Sequence, residues 1–203
     1  MASLRERKKA ATRQAISDIA TRLFERHGFE RVTLAEIAEA ADVSVKTIFN
    51  YFGSKEELFY DREEELLNGM LEVLRSRAPG VSPTAAMRPL LLDGPIPFAG
   101  ECRWPDLEGG LYEGMRGFLA CERASPALTA RRLVIGQSWV EPLARESGSE
   151  AWAAMFVGVM HLRAQVLGTA LLERRAPRTV ERRVRATVGE ALDALERGFS
   201  PPA

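Results

Sequence analysis

The chain has 203 residues, room for one domain or for a small one joined to a larger one. Hydrophobic residues make up 46% and charged residues 28%, which excludes a largely disordered or collagen-like chain. The 28 basic and 28 acidic side chains balance, so bulk charge names no partner.

The longest stretch free of Lys, Arg, Asp and Glu is Ala151–Leu162, twelve residues. A spanning helix takes ~20 apolar residues, so no membrane segment is expected. The opening MASLRERKKAATRQAIS is charged and lacks the apolar core of a secretory signal, which makes the cytoplasm the expected compartment. Cys102, Cys121, His27 and His161 are too scattered for CxxC or HExxH spacing. Neither a metal nor a cofactor is expected, and the cysteines should be reduced.

Charge is uneven along the chain. Arg5, Arg7, Lys8, Lys9 and Arg13 against Glu6 alone make the first thirteen residues +4, a basic arm suited to phosphate. The first element spans 4–27: Ile16, Ile19, Ala20, Leu23 and Phe24 form one apolar stripe at helical spacing. Gly28 supplies its C-terminal stop, and His27 reads as a last-turn residue.

Thr33 and Glu36 form a capping box for a short helix, Leu34–Ala41. Asp42-Val43-Ser44 interrupts it. Ser44 then caps a second short helix, Val45–Tyr51, with Val45, Ile48, Phe49 and Phe52 on its inward side. Ser54 and Glu57 make another capping box, and the next helix is expected to run unbroken from Lys55 to Arg77. Two short helices joined by a three-residue turn are a helix-turn-helix. Lys46, Thr47, Asn50 and Tyr51 remain for its outward face, and no acidic residue occurs between Val43 and Lys55. Short donors and acceptors with one aromatic suit base edges and phosphates. With the caps Thr33 and Ser44, and with Lys55 opening the next helix at phosphate level, they form the expected DNA-facing set.

Residues 33–59, TLAEIAEAADVSVKTIFNYFGSKEELF, resemble the DNA-binding segment of the TetR family of bacterial transcriptional regulators. Ala20, Leu23, Phe24 and His27-Gly28-Phe29 match that family's first helix. The likeness covers roughly residues 10–60. Asn50-Tyr51-Phe52-Gly53-Ser54-Lys55 falls where the family commonly carries Tyr-x-x-Phe-x-Ser-Lys, but Phe49 stands in place of the first aromatic and has no hydroxyl for a phosphate; Tyr51 is the alternative source.

The remainder reads as helical. Ser82-Pro83 opens a helix to about Leu92, and Asp93–Gly110 is irregular, with four Gly and three Pro in eighteen residues. Further helices are expected at Leu111–Glu122, from Ser125-Pro126 to about Ser147, at Glu150–Arg174, and from Pro177 to near Gly198. No strand-like alternation occurs, so the fold class is all-α. The expected domains are a three-helix DNA-binding module over 1–54 and a larger helical effector-binding and dimerisation domain over 55–203. The resemblance implies a homodimer paired through the last two helices.

Apolar and amphipathic residues around the expected interior of the larger domain are candidates for lining a ligand site: Trp104, Met115, Phe118, Cys121, Trp139, Met155 and His161. Each is equally suited to core packing. Ile96, Phe98, Cys102 and Trp104, in the irregular segment, belong either to a lid over that site or to a cover on one end of the helices. The leading function is a ligand-responsive regulator, a repressor released from a palindromic operator by a small apolar molecule. An enzyme and an architectural DNA binder are the rivals. Against the enzyme stand the lack of a convergent Ser/His/Asp or Cys/His set and of a Gly-rich phosphate loop.

Overall fold

The computed structural model describes residues 3–95 and 103–199, and every regular element among them is helical. In chain order these are α1 (Leu4–His27), α2 (Leu34–Ala40), α3 (Val45–Tyr51), α4 (Lys55–Phe59), α5 (Glu63–Ser76), α6 (Pro83–Leu92), a 3-10 turn (Trp104–Asp106), α7 (Gly109–Ala124), α8 (Pro126–Ser147), α9 (Glu150–Leu172) and α10 (Pro177–Phe199). Of the residues discussed for the irregular segment, Ile96, Phe98 and Cys102 lie outside the described residues.

The chain divides into two units. One comprises residues up to Arg62 together with Gly117–Arg131; the other comprises Glu63–Arg116 and the chain from Arg132 onward. This differs from a cut after residue 54. Lys55–Arg62 stays with the first unit because Leu58 and Phe59 are core residues there, and 117–131 joins it through Phe118, Cys121 and Leu128.

The first unit is built on α1. Ile16, Ala20 and Phe24 of its buried stripe meet Ile37 and Ala38 of α2, Ile48 of α3 and Phe59 of α4 in one apolar cluster. Phe24, Phe29 and Phe59 pack ring to ring at centroid distances of 5.2 and 5.8 Å, and Phe59 stacks on Phe118 at 4.4 Å. Such pairs add to the burial that drives the cluster.

The helix expected over 55–77 is broken at 60–62. Tertiary hydrogen bonds win over local propensity here. The single Tyr60 hydroxyl proton is shared between Glu122 Oε1 at 2.5 Å and the Leu128 carbonyl at 3.0 Å. The Asp61 carbonyl accepts from Arg13 Nη2 at 2.8 Å, and its carboxylate accepts from the Ser17 hydroxyl. Chain segments that must present a side chain in one direction and a free carbonyl in another cannot continue the i→i−4 ladder.

The second unit is organised around α9, which packs against α10 and α6. Trp152 and Phe156 stack at 4.8 Å, and the Trp152 indole donates to Thr84 Oγ1 at 2.9 Å. The faces of α10 separate cleanly: Val180, Val184, Val188, Leu192 and Leu195 are buried, while Arg178, Arg182, Arg185, Glu190, Asp193 and Arg197 are exposed. By length and composition α9 is apolar enough to cross a bilayer, yet much of it is buried inside the fold, as in a core helix.

Arg163 is buried on α9. Its guanidinium donates to the carbonyls of Leu91 (2.9 Å), Gly94 (2.8 Å) and Pro95 (2.9 Å), closing the C-terminal end of α6. The Leu91 carbonyl lies in the last turn of α6, at the negative end of its dipole, which suits a cation. Burial lowers its pKa to about 10, so it remains protonated at neutral pH.

Candidate nucleic-acid interface

The α2–turn–α3 segment is fastened at every joint. Thr33 caps α2: its Oγ1 accepts from the Glu36 amide at 3.2 Å, and Glu36 Oε2 accepts from the Thr33 amide at 2.7 Å. These contacts hold the Glu36 carboxyl below the usual Glu range, the backbone N–H of Thr33 contributing most. The turn passes through Asp42 at φ +51°, the left-handed region that Asp tolerates better than most residues. Ser44 then caps α3, accepting from the Thr47 amide at 3.0 Å, with its hydroxyl 2.8 Å from Thr47 Oγ1.

At its far end α3 is held by Phe52, which is buried beneath the Arg13 guanidinium at 4.7 Å from the ring centroid. The next amide, Gly53 N–H, donates to Glu57 Oε2 at 2.9 Å. Lys55 is not a free cation. Its Nζ donates to the carbonyls of Phe29 (2.9 Å) and Val32 (3.0 Å) and lies 4.2 Å over the Phe29 ring. One of its three N–H groups is left for a phosphate.

With Ile48 buried, rotation of α3 about its axis is set. Lys46 and Asn50 face solvent, one turn apart. Thr47 and Tyr51 are half-buried on one flank, and Tyr51 packs against the core. Phe49 and Val45 correct the sequence reading. The spacing places both inward, but Phe49 is 52% exposed and Val45 37% exposed on the other flank. A helix of two turns gives each position about 100° of arc, and the burial of Ile48 and Phe52 leaves no room inside for Phe49. Arg5, Arg7, Lys8 and Lys9 stand exposed on the first turns of α1. The basic arm is therefore helical, opened by a capping box between Ser3 and Glu6.

Residues 16–61 match the family model described as bacterial regulatory proteins, tetR family. The likeness is confined to the segment that carries the helix-turn-helix. Among the chain's relatives are the HTH-type transcriptional regulator TcmR of Streptomyces glaucescens, 37% identical over 41% of this chain and 37% of its own length, and the HTH-type transcriptional regulator LuxR of Vibrio harveyi, 45% identical over 28% and 25%. The HTH-type transcriptional repressor AcnR of Corynebacterium glutamicum is 38% identical over 34% of this chain and 41% of its own. The chain thus matches well under half the length of these curated relatives. The solved structure of a TetR transcriptional regulator from Rhodococcus sp. RHA1 aligns over 95% of this chain and 99% of that one, at 16% identity and a TM-score of 0.47.

The seven ligand-site candidates divide between the two units. Phe118 and Cys121 belong to the first unit, where Phe118 stacks on Phe59 and Cys121 Sγ lies 3.8 Å from the Phe24 carbonyl. Burial raises the Cys121 thiol pKa, so it is a core thiol. Met155 is 53% exposed on α9. Trp104 is fully buried in the second unit and donates its indole N–H to the Leu92 carbonyl at 2.6 Å. Met115 is half-buried on α7. Two candidates remain on facing helices: Trp139 of α8, buried with an indole N–H that has no partner, and half-buried His161 of α9, whose ring fills the space left by Gly136. A Cβ on Gly136 would fall 2.7 Å from His161 Nε2, so glycine there sets the local approach of α8 to α9.

Sequence reasoning missed Phe49 and Val45 as outward groups and Arg13 as a brace. The signal for Arg13 was available: it sits one turn before Ser17 on α1, and both reach Asp61.

Proposed function

We propose that this chain is a ligand-responsive repressor that binds a palindromic operator as a homodimer and leaves it when a small apolar molecule binds the second unit. The observation that carries the reading is α3. It is a short helix braced at both ends, with Lys46 and Asn50 outward and no acidic residue between Val43 and Lys55. Lys and Asn at this spacing match the guanine and adenine edges of the major groove. Thr33, Ser44, Thr47, Tyr51 and Lys55 complete the proposed DNA-facing set, and the exposed cations of α1 are proposed to contact phosphates.

The second unit is the proposed effector and dimerisation domain, with Trp139 and His161 as the ligand-facing pair. Support for pairing through α9 comes from its exposed Ala151, Ala154, Met155 and Gly158, a run of small and apolar groups one turn apart. The outward face of α10 is charged, so α10 would join the pair through ion pairs and its alanines. The proposed compartment is the cytoplasm, where the operator is.

The test is enrichment of duplexes from a random-sequence pool by the full chain, followed by affinity for the enriched duplex at several salt concentrations. An inverted repeat should emerge. The logarithm of affinity should fall with the logarithm of salt, by roughly 0.9 for each phosphate contacted. Binding with no sequence preference supports an architectural DNA binder instead.

A further inference from the structure

We propose that Phe49 and Val45 read thymine, packing against C5-methyl groups in the major groove beside the base edges that Lys46 and Asn50 contact. The inference rests on the DNA-binding reading of α3 and names which base its apolar flank selects.

Val45 and Phe49 are four residues apart, so on α3 they stand one above the other as a single ridge. Lys46 and Asn50 form a second ridge immediately beside it, both exposed. Phe49 keeps 52% of its surface in water and Val45 37%. The other phenylalanines of the first unit behave differently: Phe24, Phe29, Phe52 and Phe59 are buried, and Phe118 packs half-buried against their cluster. An isolated exposed apolar residue is ordinary, but a continuous apolar ridge alongside a basic and an amide side chain is a surface shaped for something.

The charges around the ridge select the occupant. Lys46 adjoins it and no acidic side chain lies within the segment from Val43 to Lys55, which suits a polyanion. A second copy of the chain stacked on the ridge would bring Lys46 against Lys46. In the major groove the apolar group offered by a base pair is the thymine methyl; all other groups there are hydrogen-bond donors or acceptors. A ridge that donates and accepts nothing can therefore distinguish one base. It would prefer thymine over cytosine, because cytosine presents an amino group in place of the carbonyl and a C5 hydrogen in place of the methyl.

Uracil tests this directly, since it pairs like thymine and lacks the methyl. The duplex enriched from a random pool by the full chain is resynthesised with deoxyuridine replacing each thymine in turn. One or two thymines per half-site should show about fourfold weaker binding as uracil, the loss expected for one buried carbon group. Phe49→Ala should lower the affinity for the thymine duplex and abolish its difference from the uracil duplex. Phe49→Tyr keeps the ring and should keep the difference. The ring of Phe49 is exposed, so Phe49→Ala should melt with the parent; if it does not, the uracil scan on the parent chain decides alone. Uracil tolerated at every position overturns the proposal. So does a Phe49→Ala chain that weakens binding yet keeps full uracil sensitivity, which would place the ring on a sugar. A random pool that yields no enriched sequence overturns the DNA-binding reading itself, and this one with it.

Discussion

The ammonium of Lys55 donates to the Phe29 carbonyl at 2.9 Å while lying 4.2 Å over the ring of the same residue. A second bond, to the Val32 carbonyl at 3.0 Å, closes the loop between α1 and α2. Lysine at this position ties the start of α4 to the chain that leads into the helix-turn-helix. Lys55→Met keeps the stem and removes the donors. It should lower the stability of the folded chain by about 1.5–3 kcal/mol, the range for hydrogen bonds to a charged group. Thermal or denaturant unfolding of the two chains measures it; equal midpoints would mean that water satisfies both carbonyls.

The cap of α2 makes that helix acid-sensitive. Glu36 is held below the ordinary Glu range by the Thr33 N–H and then by the Thr33 hydroxyl. A carboxyl with a lowered folded pKa stabilises the fold above its unfolded pKa, and the contribution is lost as pH falls through the folded value. Hydrogen-exchange protection of the α2 amides should therefore fall on acidification below about pH 4. Glu36→Gln preserves the acceptor of the capping box and should show no such fall. Protection that drops identically in both chains would trace the sensitivity to another group.

The three tryptophans should respond differently to the same substitution. Trp152 donates to Thr84 and Trp104 to the Leu92 carbonyl, while the Trp139 N–H has no partner. Phenylalanine removes a similar volume at each site but strands a buried acceptor at only two of them. Trp139→Phe should cost less stability than Trp104→Phe or Trp152→Phe by about 1–3 kcal/mol. A Trp139→Phe chain as unstable as the other two would show that its N–H is bonded in solution.

The proposed dimer separates two kinds of apolar residue. Met155 is exposed on α9, and Gly158 has open space around its Cα. Val188 lies in the apolar stripe of α10 with Val184 and Leu192 and is fully buried within the second unit. Met155→Arg should yield folded monomers that bind a full palindrome weakly. Val188→Arg should unfold the second unit, because a charge would enter a close-packed site. Sedimentation equilibrium with circular dichroism distinguishes these results, and a monomeric parent chain at micromolar concentration would remove the dimer from the mechanism.

Local chemistry in the sequence was enough to place most helices. Thr33, Ser44 and Ser54 cap where Ser and Thr precede apolar periods, so α3 appears with the bounds that its cap and stripe dictate, and α1 with those of its stripe and Gly28. The helix-turn-helix was legible for the same reason: a two-turn helix has little freedom once its caps and its core residues are known. Position on the helix surface was less legible. Phe49 is as apolar as Phe52, and only the packing of Ile48 and Phe52 into a core shared with α1 decides that Phe49 is the one left outside. The break at 60–62, the attachment of 117–131 to the first unit, and the scattering of the ligand candidates between two units all depend on partners distant in sequence: Tyr60 with Glu122, Phe59 with Phe118, Arg163 with Leu91. Capping and periodicity act over four residues, and their consequences can be read from the chain. Long-range hydrogen bonds and ring contacts are chosen by the fold, because each competes with many equivalent partners that only the tertiary structure eliminates.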